Sequence, residues 1–546
     1  MRLFTLSRQC RLLGLTLLLL SGSAQVRAGD VFVDSLATLR QGSMAAREQA
    51  ITDLAESGHI RTLTILQALL DGNLYELKQD GRLVIAHDNG QGYDLRDAVS
   101  NEAMPAVAKD DAGKINLTNK LRTLLRKTIG QLQLNANDPK LRLAAVNAMV
   151  KETDDKALEL LASRLEKESD SAVREAIQLV FLLQDTESGH AKQRRIDAIN
   201  ALKSYDSQDA MNRFKALVEK NAEGAYLEPD ADIRNLAGAA LIGMNTRLNL
   251  YGALETLFFG LSLGAVLVLA AIGLAITFGV MGVINMAHGE LMMLGAYTTY
   301  VMQLAMPENL GASVLLAIPA AFVIAGVTGI AIERGIIRFL YGRPLETLLA
   351  TFGVSLFLQQ TVRSIFSPLN RNVATPEWMS GSWRINDFLA LTWNRFYILL
   401  FCLLVFAALL QILKRTRLGL EVRAVAQNRA MAKAMGIPTA RVDAMTFGLG
   451  SGIAGVAGVA LSQITNVGPN LGQAYIVDSF MVVVFGGVGN LLGTLIAGFS
   501  LGIANKVLEP YAGAVLAKIL ILVFIILFIQ KRPRGLFPQK GRAAES

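Results

Sequence analysis

The chain has 546 residues, of which 52% are apolar and 18% are charged, and its formal net charge at pH 7 is +8. With a mean hydropathy of +0.38, this composition excludes an ordinary soluble globular protein. A basic chain can bind nucleic acid, but here the basic residues lie beside long apolar runs, as in membrane proteins, so no nucleic-acid partner is expected. Charged residues concentrate in 29–245, and apolar runs dominate from Leu250 to Gln530.

Residues 1–28 are typical of a secretory signal peptide. Arginines precede the apolar stretch Leu12–Leu20, which is too short to span a membrane. Val26 and Ala28 then occupy the two positions that a signal peptidase reads, so cleavage is predicted after Ala28. A short uncleaved anchor is the alternative. Since Cys10 lies in this segment and Cys402 in an apolar run, the mature chain has no cysteine pair for a disulfide.

Residues 29–245 show helical periodicity with an imperfect repeat. Three segments begin with an aliphatic residue followed by arginine: Leu141-Arg142, Val173-Arg174 and Ile233-Arg234. An aspartate suited to cap a helix N-terminus precedes each of them: Asp138, Asp170, and either Asp230 or Asp232. The pattern resembles HEAT-type helical pairs and predicts an extracytoplasmic partner-binding domain. Residues 72–95 break the pattern and predict a small hairpin.

Nine apolar runs follow and predict a transmembrane domain over 250–532 with a cytoplasmic tail over 533–546. The runs are 253–280, 284–304, 312–332, 345–366, 396–413, 442–462, 475–489, 491–509 and 513–530. Lysines and arginines concentrate in the connections 333–344 and 414–441 and in the tail, which places these in the cytoplasm. The expected fold class is therefore all-α: a polytopic membrane helical bundle of about nine spans, preceded by a soluble, helical, HEAT-like domain outside the cytoplasm.

A basic, alanine-rich segment at 421–441 interrupts the apolar half. Wound as one helix from Glu421, it places five side chains on one face: Ala424, Val425, Met431, Ala432 and Met435. Arg429 and Lys433 fall opposite, and Gly436 suits the left-handed position that ends a helix. Such a helix lies either on lipid headgroups or in a protein groove. A shallow alanine and methionine face favours the groove.

The densest polar cluster of the apolar half is formed by Asn285, His288 and Glu290. These residues either belong to a gate or solute path, because ionisable groups at membrane depth are costly, or they cap and pair within the bundle. They are too few to predict a metal site. Three polar residues in the middle of a predicted span, Thr351, Gln359 and Gln360, are further candidates for solute contact. The chain lacks a P-loop pattern, so we expect neither an ATP site nor any cofactor in this subunit, and no enzyme activity.

Four segments, in the same order, resemble the permeases of branched-chain amino acid and urea importers of the ABC class: "GVINMAHGELMMLGAY" (282–297), "IERGIIRFLYGRP" (332–344), "RAVAQNRAMAKAMGI" (423–437) and "VFGGVGNLLGTLIAG" (484–498). The resemblance covers roughly 250–535. It implies that the 421–436 segment is the helix that couples such permeases to their ATPases, through Glu421, the five residues of the predicted face and Gly436. The family's Glu-Ala-Ala opening appears here only as "EVRAVA".

This resemblance also implies the partners and the location. The chain would form a solute path in the bacterial inner membrane with a second, homologous permease. Two cytoplasmic ATP-binding subunits and an extracytoplasmic solute-binding protein would complete the importer. The large domain before the first span is similar to the urea-type permease, so urea is the expected solute, and a branched-chain amino acid is the alternative. A secondary transporter or channel would need buried carboxylates, of which the spans hold few, and a membrane-anchored scaffold would leave the coupling-type segment unexplained.

Overall fold

The structure is a computed structural model and describes residues 31–40, 42–88, 92–107, 111–150 and 155–537. The predicted signal peptide (1–28) and the last part of the tail lie outside the described residues. The chain divides into two compact units, Met1–Gly243 and Met244–Ser546, which are described separately.

Helices form most of the first unit. They are α1 (31–40), α2 (Met44–Glu56), α3 (Thr62–Leu70), α4 (Asn119–Leu134), α5 (Pro139–Met149), α6 (Asp155–Leu165), α7 (Ser171–Asp185), α8 (Lys192–Leu202) and α9 (Gln208–Leu217), followed by α10 (Ala231–Met281). The three predicted caps are confirmed. The Asp138 carboxylate accepts from the Lys140 N–H, Asp170 from the Ala172 N–H and Asp230 from the Asp232 N–H. Each carboxylate satisfies a backbone donor that the helix itself leaves unpaired.

A five-stranded antiparallel sheet lies between α3 and α4 in the chain, so the all-α prediction is wrong for this unit. Its strands are β1 (Leu74–Leu77), β2 (Leu83–Asp88), β3 (Tyr93–Asp97), β4 (Ala103–Val107) and β5 (Ala112–Lys114), in the order β4-β3-β2-β1-β5. The sequence predicted only a hairpin, over 72–95. The last two strands, β4 and β5, are short and contain Pro105 and Gly113, which weaken a strand pattern. Leu83 to Ala86 are all buried because both faces of β2 are covered.

Glu168 organises the turn before α7. Arg142 of α5 donates to both of its carboxylate oxygens, at 2.7 and 2.8 Å, and both side chains are buried. These hydrogen bonds lower the pKa of Glu168 from 4.5 to about 2. Arg174 of α7 donates to the Glu168 carbonyl at 2.6 Å, and Asp170, two residues after the glutamate, caps the helix.

The same arrangement recurs before α10, around Glu228. Arg195 of α8 pairs with the buried Glu228 carboxylate, and hydrogen bonding from Arg195 lowers the pKa of that carboxyl. Arg234 donates to the Glu228 carbonyl at 2.7 Å, and Asp230 caps the helix that follows. Two turns share the same three interactions: an arginine–glutamate pair, a second arginine on the glutamate carbonyl and an aspartate cap. They indicate an internal helical repeat. The HEAT-like assignment stays a prediction.

The second unit is a bundle of apolar helices. After α10 they are α11 (His288–Ala305), α12 (Leu310–Gly335), α13 (Pro344–Phe366), α14 (Trp393–Arg415), α15 (Arg417–Gln427), α16 (Arg429–Ala434), α17 (Thr439–Ser462), α18 (Leu471–Gly486) and α19 (Leu491–Lys531). Short 3-10 turns lie at Ile337–Phe339 and Glu377–Met379, and β6 (Ser382–Asn386) pairs with β7 (Leu389–Thr392).

Among the described helices, five are long and apolar enough to cross a membrane: α10, α12, α14, α17 and α19. Each of the nine predicted runs overlaps a helix, but α11, α13 and α18 do not meet that criterion, so the count of nine stays a prediction. The runs 491–509 and 513–530 both fall in α19, which is interrupted at Gly513 by a non-helical backbone.

Helices α11, α12 and α17 meet through glycines. A methyl group added at Gly295 of α11 would lie 1.9 Å from the Gly455 carbonyl oxygen of α17, and one at Gly458 would lie 1.9 Å from the Met292 carbonyl oxygen. On the other side of α17, a methyl at Gly452 would meet Phe322 of α12 at 2.7 Å. At these contacts the absence of a side chain lets the backbones of neighbouring helices come together.

Candidate solute path and coupling segment

The coupling segment predicted as one helix consists of two, α15 and α16, with a break at Asn428. This residue has φ −151° and ψ 100°, which is extended backbone, and its side-chain oxygen accepts from the Met431 N–H at 2.9 Å. Asparagine is a strong N-cap, so its side chain starts a new helix instead of continuing the first one. The single-helix prediction is therefore wrong.

Because of this break, the five residues of the predicted face separate. Val425 and Ala432 are buried together with Val422 and Val442, and Ala432 is only 5% exposed. Met431 and Met435 point away from this cluster and are 60% and 76% exposed. The apolar surface available to a partner is therefore the pair of methionines, and Ala432 packs against the chain itself.

The remaining predicted coupling residues are Glu421 and Ala424 on α15 and Gly436 after α16. Glu421 is half-buried on α15, and Ala424 packs against the buried valine cluster. Gly436 has φ 87°, the left-handed conformation predicted for it. Its N–H donates to the Lys433 carbonyl and the Ile437 N–H to the Ala432 carbonyl, so the helix ends in the double hydrogen bond that a glycine at this position permits.

Arg429, predicted to lie opposite the apolar face, is only partly exposed and packs against the bundle. It forms a bidentate ion pair with Asp443 of α17, whose carboxylate is buried. The guanidinium also lies 4.4 Å from the centre of the Tyr341 ring, between α12 and α13. Arg429 thus fixes α16 to the start of α17. No sequence pattern pairs these two residues, because they are separated by 14 positions and a glycine turn.

The buried carboxylate of Glu290 lies in the first turn of α11 and contacts α13. Its Oε1 accepts from the Gln359 Nε2 at 2.7 Å and from the Ser355 Oγ at 3.1 Å. Its Oε2 is buried and has no hydrogen-bond partner within the described ranges. Gln360 is exposed on another face of α13 and does not join the cluster.

Sequence reasoning missed Ser355, although a signal for it exists. Thr351, Ser355 and Gln359 are spaced four residues apart, so they follow one face of α13, whereas Gln360 is rotated away by about 100°. A test for helical spacing would have added Ser355 to the candidates and removed Gln360.

Asn285, His288 and Thr351 are buried where the loop after α10 meets α13. Thr351 Oγ1 accepts from the Met286 N–H at 3.1 Å, and the Asn285 side-chain oxygen accepts from the Ala287 N–H at 3.0 Å. His288 Nε2 donates to the Ala270 carbonyl of α10 at 2.9 Å. Asn285 Nδ2 and His288 Nδ1 have no partner in the described part of the chain. Asn285 thus holds the turn before α11 but does not occupy the cap position, which is Ala287.

A second ion pair crosses between helices α18 and α19. Lys518 Nζ donates to Asp478 Oδ2 at 3.0 Å, and Asp478 lies in the middle of α18. A charge in an apolar helix is tolerated when it has such a partner.

Five helices of membrane-spanning length among the described residues, packed through glycines, are typical of a multi-pass membrane protein. The chain belongs to the ABC-type family described as branched-chain amino acid transport system, permease component, which matches residues 256–529.

Relatives with assigned functions support this placement. The high-affinity branched-chain amino acid permease LivH of Escherichia coli K12 is 33% identical over 293 residues, which is 52% of this chain and 94% of that protein. BraD of Pseudomonas aeruginosa is 30% identical over 297 residues, 53% of this chain and 96% of that protein. The ribose permease RbsC of E. coli K12 is 24% identical over 313 residues, 51% of this chain and 87% of that protein. No solved structure matches the chain.

Proposed function

We propose that this chain is the permease subunit of an ATP-driven importer of branched-chain amino acids. The match of residues 256–529 to that family is the observation that carries the proposal, and relatives at 32–33% identity are named for the same solutes. The urea expectation rested on the outer domain and on the apparent lack of charge in the spans, and the relatives do not support it.

The buried polar cluster supports a solute with a positive charge. A branched-chain amino acid carries an ammonium and a carboxylate, and each needs a partner of complementary character inside the membrane. Glu290 presents a carboxylate oxygen that no described donor occupies, and Asn285 presents an amide N–H group that no described acceptor occupies. We assign the ammonium to Glu290, positioned by Ser355 and Gln359, and the carboxylate to Asn285.

Coupling to the ATPases fits the exposed methionine surface of α16. Met431 and Met435 are mobile, polarisable side chains that suit a groove on a partner protein. The ion pair between Arg429 and Asp443 would carry displacement of α16 to α17, and the glycine contacts of α17 would carry it to α11, which bears Glu290. The importer would contain a second, homologous permease, two cytoplasmic ATPases and an extracytoplasmic solute-binding protein.

The orientation that goes with this function places α16 in the cytoplasm of a bacterial inner membrane. The basic residues of 414–441 and of the tail support it through the positive-inside rule. The first unit and its predicted signal peptide would then lie outside the cytoplasm, where the repeated helices suit protein binding.

Uptake of labelled solutes tests the proposal directly. Deletion of the gene should abolish high-affinity leucine uptake at micromolar concentrations and leave urea uptake unchanged, and the chain supplied in trans should restore it. Urea stays the second candidate because the first unit lies outside the family match and the Thr351, Ser355 and Gln359 row offers neutral donors and acceptors. Loss of urea uptake alone would reverse the assignment. If neither changes, the amino acid and urea proposals both fail.

A further inference from the structure

A cleft of about 830 Å³ opens in the second unit where α10 and α14 end and α19 begins, beside the C-terminal half of α15. Its walls are mainly aliphatic and include Ile276, Leu410, Leu413 and Leu492. The cleft lies beside the C-terminus of α14, the helix of 23 residues that ends at Arg415. A membrane-spanning helix of this length ends at the level of the lipid headgroups.

Two cations line the cleft without a counter-charge. Lys414 and Arg423 are exposed on its wall, no carboxylate is among its lining residues, and neither cation forms an ion pair with a described acid. Arg423 donates to the Leu413 carbonyl, which holds the guanidinium at the end of α14. The cleft therefore combines fixed positive charge with a long apolar wall.

We infer that this cleft binds an anionic phospholipid. The phosphate lies between Lys414 and Arg423, and an acyl chain follows the aliphatic wall towards Ile276 and Leu410. A membrane lipid supplies both of these features, and basic sites between helices on the cytoplasmic side suit anionic headgroups. The inference depends on the orientation proposed above but not on the identity of the solute.

Lipid binding to the purified full-length chain tests this site. The chain in neutral detergent is titrated with palmitoyl-oleoyl phosphatidylglycerol and with the zwitterionic phosphatidylcholine of the same acyl chains, and bound lipid is counted by native mass spectrometry. Phosphatidylglycerol should bind more tightly. Lys414→Gln and Arg423→Gln should each weaken it about fivefold, and the double variant about thirtyfold.

Arg415→Gln and Arg417→Gln are the matched controls, because these exposed arginines flank Lys414 but do not line the cleft. They should change binding by less than twofold. Equal effects of all four variants would show general attraction to the headgroups and overturn the site. Lys414 makes no hydrogen bond in the described chain, so Lys414→Gln removes a charge without breaking a structural contact. Weaker lipid binding in this variant therefore reports the lost charge.

Two further measurements separate the lipid from other anions. Glycerol phosphate without acyl chains should compete at least about a hundredfold less well than the lipid, since it leaves the aliphatic wall empty. Equal competition would assign the cations to a soluble anion. If the double variant keeps its lipid but no longer co-purifies with ATPases, the cations belong to that interface. If the wild-type chain binds phosphatidylglycerol as expected but does not restore leucine uptake to the deletion strain, the proposed transport function fails and the lipid site stands.

Discussion

Arg429, the first residue of α16, forms an ion pair with Asp443 near the start of α17, and the aspartate is buried beneath the arginine. This ion pair, flanked by the Tyr341 ring, is the only ionic contact between the described residues of the coupling segment and a neighbouring helix. Its geometry makes α16 part of the bundle instead of a loosely attached surface helix.

Asp443→Asn should therefore uncouple hydrolysis from transport. The substitution keeps the size of the side chain but removes the counter-charge, which costs about 1.5–3 kcal/mol at this junction. We expect leucine uptake to fall strongly while the assembled transporter still hydrolyses ATP. Lys433→Gln, an exposed cation on the same helix, is the control and should behave as the wild type. Normal coupling in Asp443→Asn would exclude the ion pair from signal transmission.

The two faces of α16 should respond differently to substitution. Met435→Asp places a charge on the exposed face and should abolish co-purification with the ATPases without lowering thermal stability. Ala432→Trp acts on the buried face, where an indole cannot fit, and overpacking should cost roughly 1–3 kcal/mol of stability. Melting curves of the purified chain distinguish the two. A stable Ala432→Trp variant that loses only the ATPases would instead support the docking role expected for Ala432.

The carboxylate of Glu290 should be needed for a zwitterionic solute. Glu290→Gln preserves the shape and the contacts of Oε1 but removes the charge offered to an ammonium, a change worth about 1.5–3 kcal/mol. Leucine uptake should fall roughly 10- to 100-fold. Gln360→Glu, on the exposed face of the same helix that carries Gln359, is the matched control. Undiminished leucine uptake in Glu290→Gln would remove the carboxylate from the solute path.

Acid should loosen the turn before α7 in a specific pH window. Because the pKa of Glu168 is lowered to about 2 in the folded chain, its contribution to stability is present above the ordinary value of 4.5 and is lost as the pH falls from 4.5 towards 2. Glu168→Gln leaves Arg142 buried without a counter-charge and should cost roughly 3–5 kcal/mol at pH 7.

Hydrogen exchange of α5 and α7 in the full-length chain, corrected for intrinsic rates, measures this loss at pH 7 and below pH 4. Glu166→Gln, an exposed neighbour, is the control. If α7 of the wild type is as protected at pH 3 as at pH 7, the ion pair does not stabilise the turn.

Labelling of introduced cysteines tests the orientation. Glu223→Cys and Glu308→Cys replace exposed residues and should react with a membrane-impermeant maleimide in intact spheroplasts, whereas Ala430→Cys should react only after the membrane is opened. Cys402 is fully buried and gives little background. External labelling of Ala430→Cys would reverse the proposed topology.

Local rules of sequence predicted local structure well. Asp138, Asp170 and Gly436 occupy the cap positions expected of them because a cap depends on a few neighbouring residues. The break at Asn428 obeys the same rule, but the helical periodicity of the sequence continues across it. Periodicity therefore predicts Ala432 on the face offered to a partner and does not indicate the buried cluster of Val422, Val425 and Val442.

Contacts between residues that are distant in the sequence were harder to predict. Glu290 and Gln359 were both candidates, but their hydrogen bond depends on how α13 packs against α11, which periodicity alone does not specify. Polarity alone groups Gln360 with these two residues, although the rotation of a helix places it on a different face from Gln359. The sheet was missed because β4 and β5 become strands only through pairing with their neighbours, and a short isolated segment carries little signal of that pairing.

The glycine contacts of α11, α12 and α17 have a mechanical consequence. At these contacts the carbonyl oxygen of one helix lies against the glycine Cα of the next, so a small sliding movement would cause a clash. These three helices therefore move as one rigid body. Between α11 and α13, by contrast, Glu290, Ser355 and Gln359 make hydrogen bonds, and hydrogen bonds can exchange partners. On the proposed function, opening of the bundle would concentrate at this polar seam, where exchange of the hydrogen bonds from Gln359 and Ser355 lets α13 part from the three rigid helices.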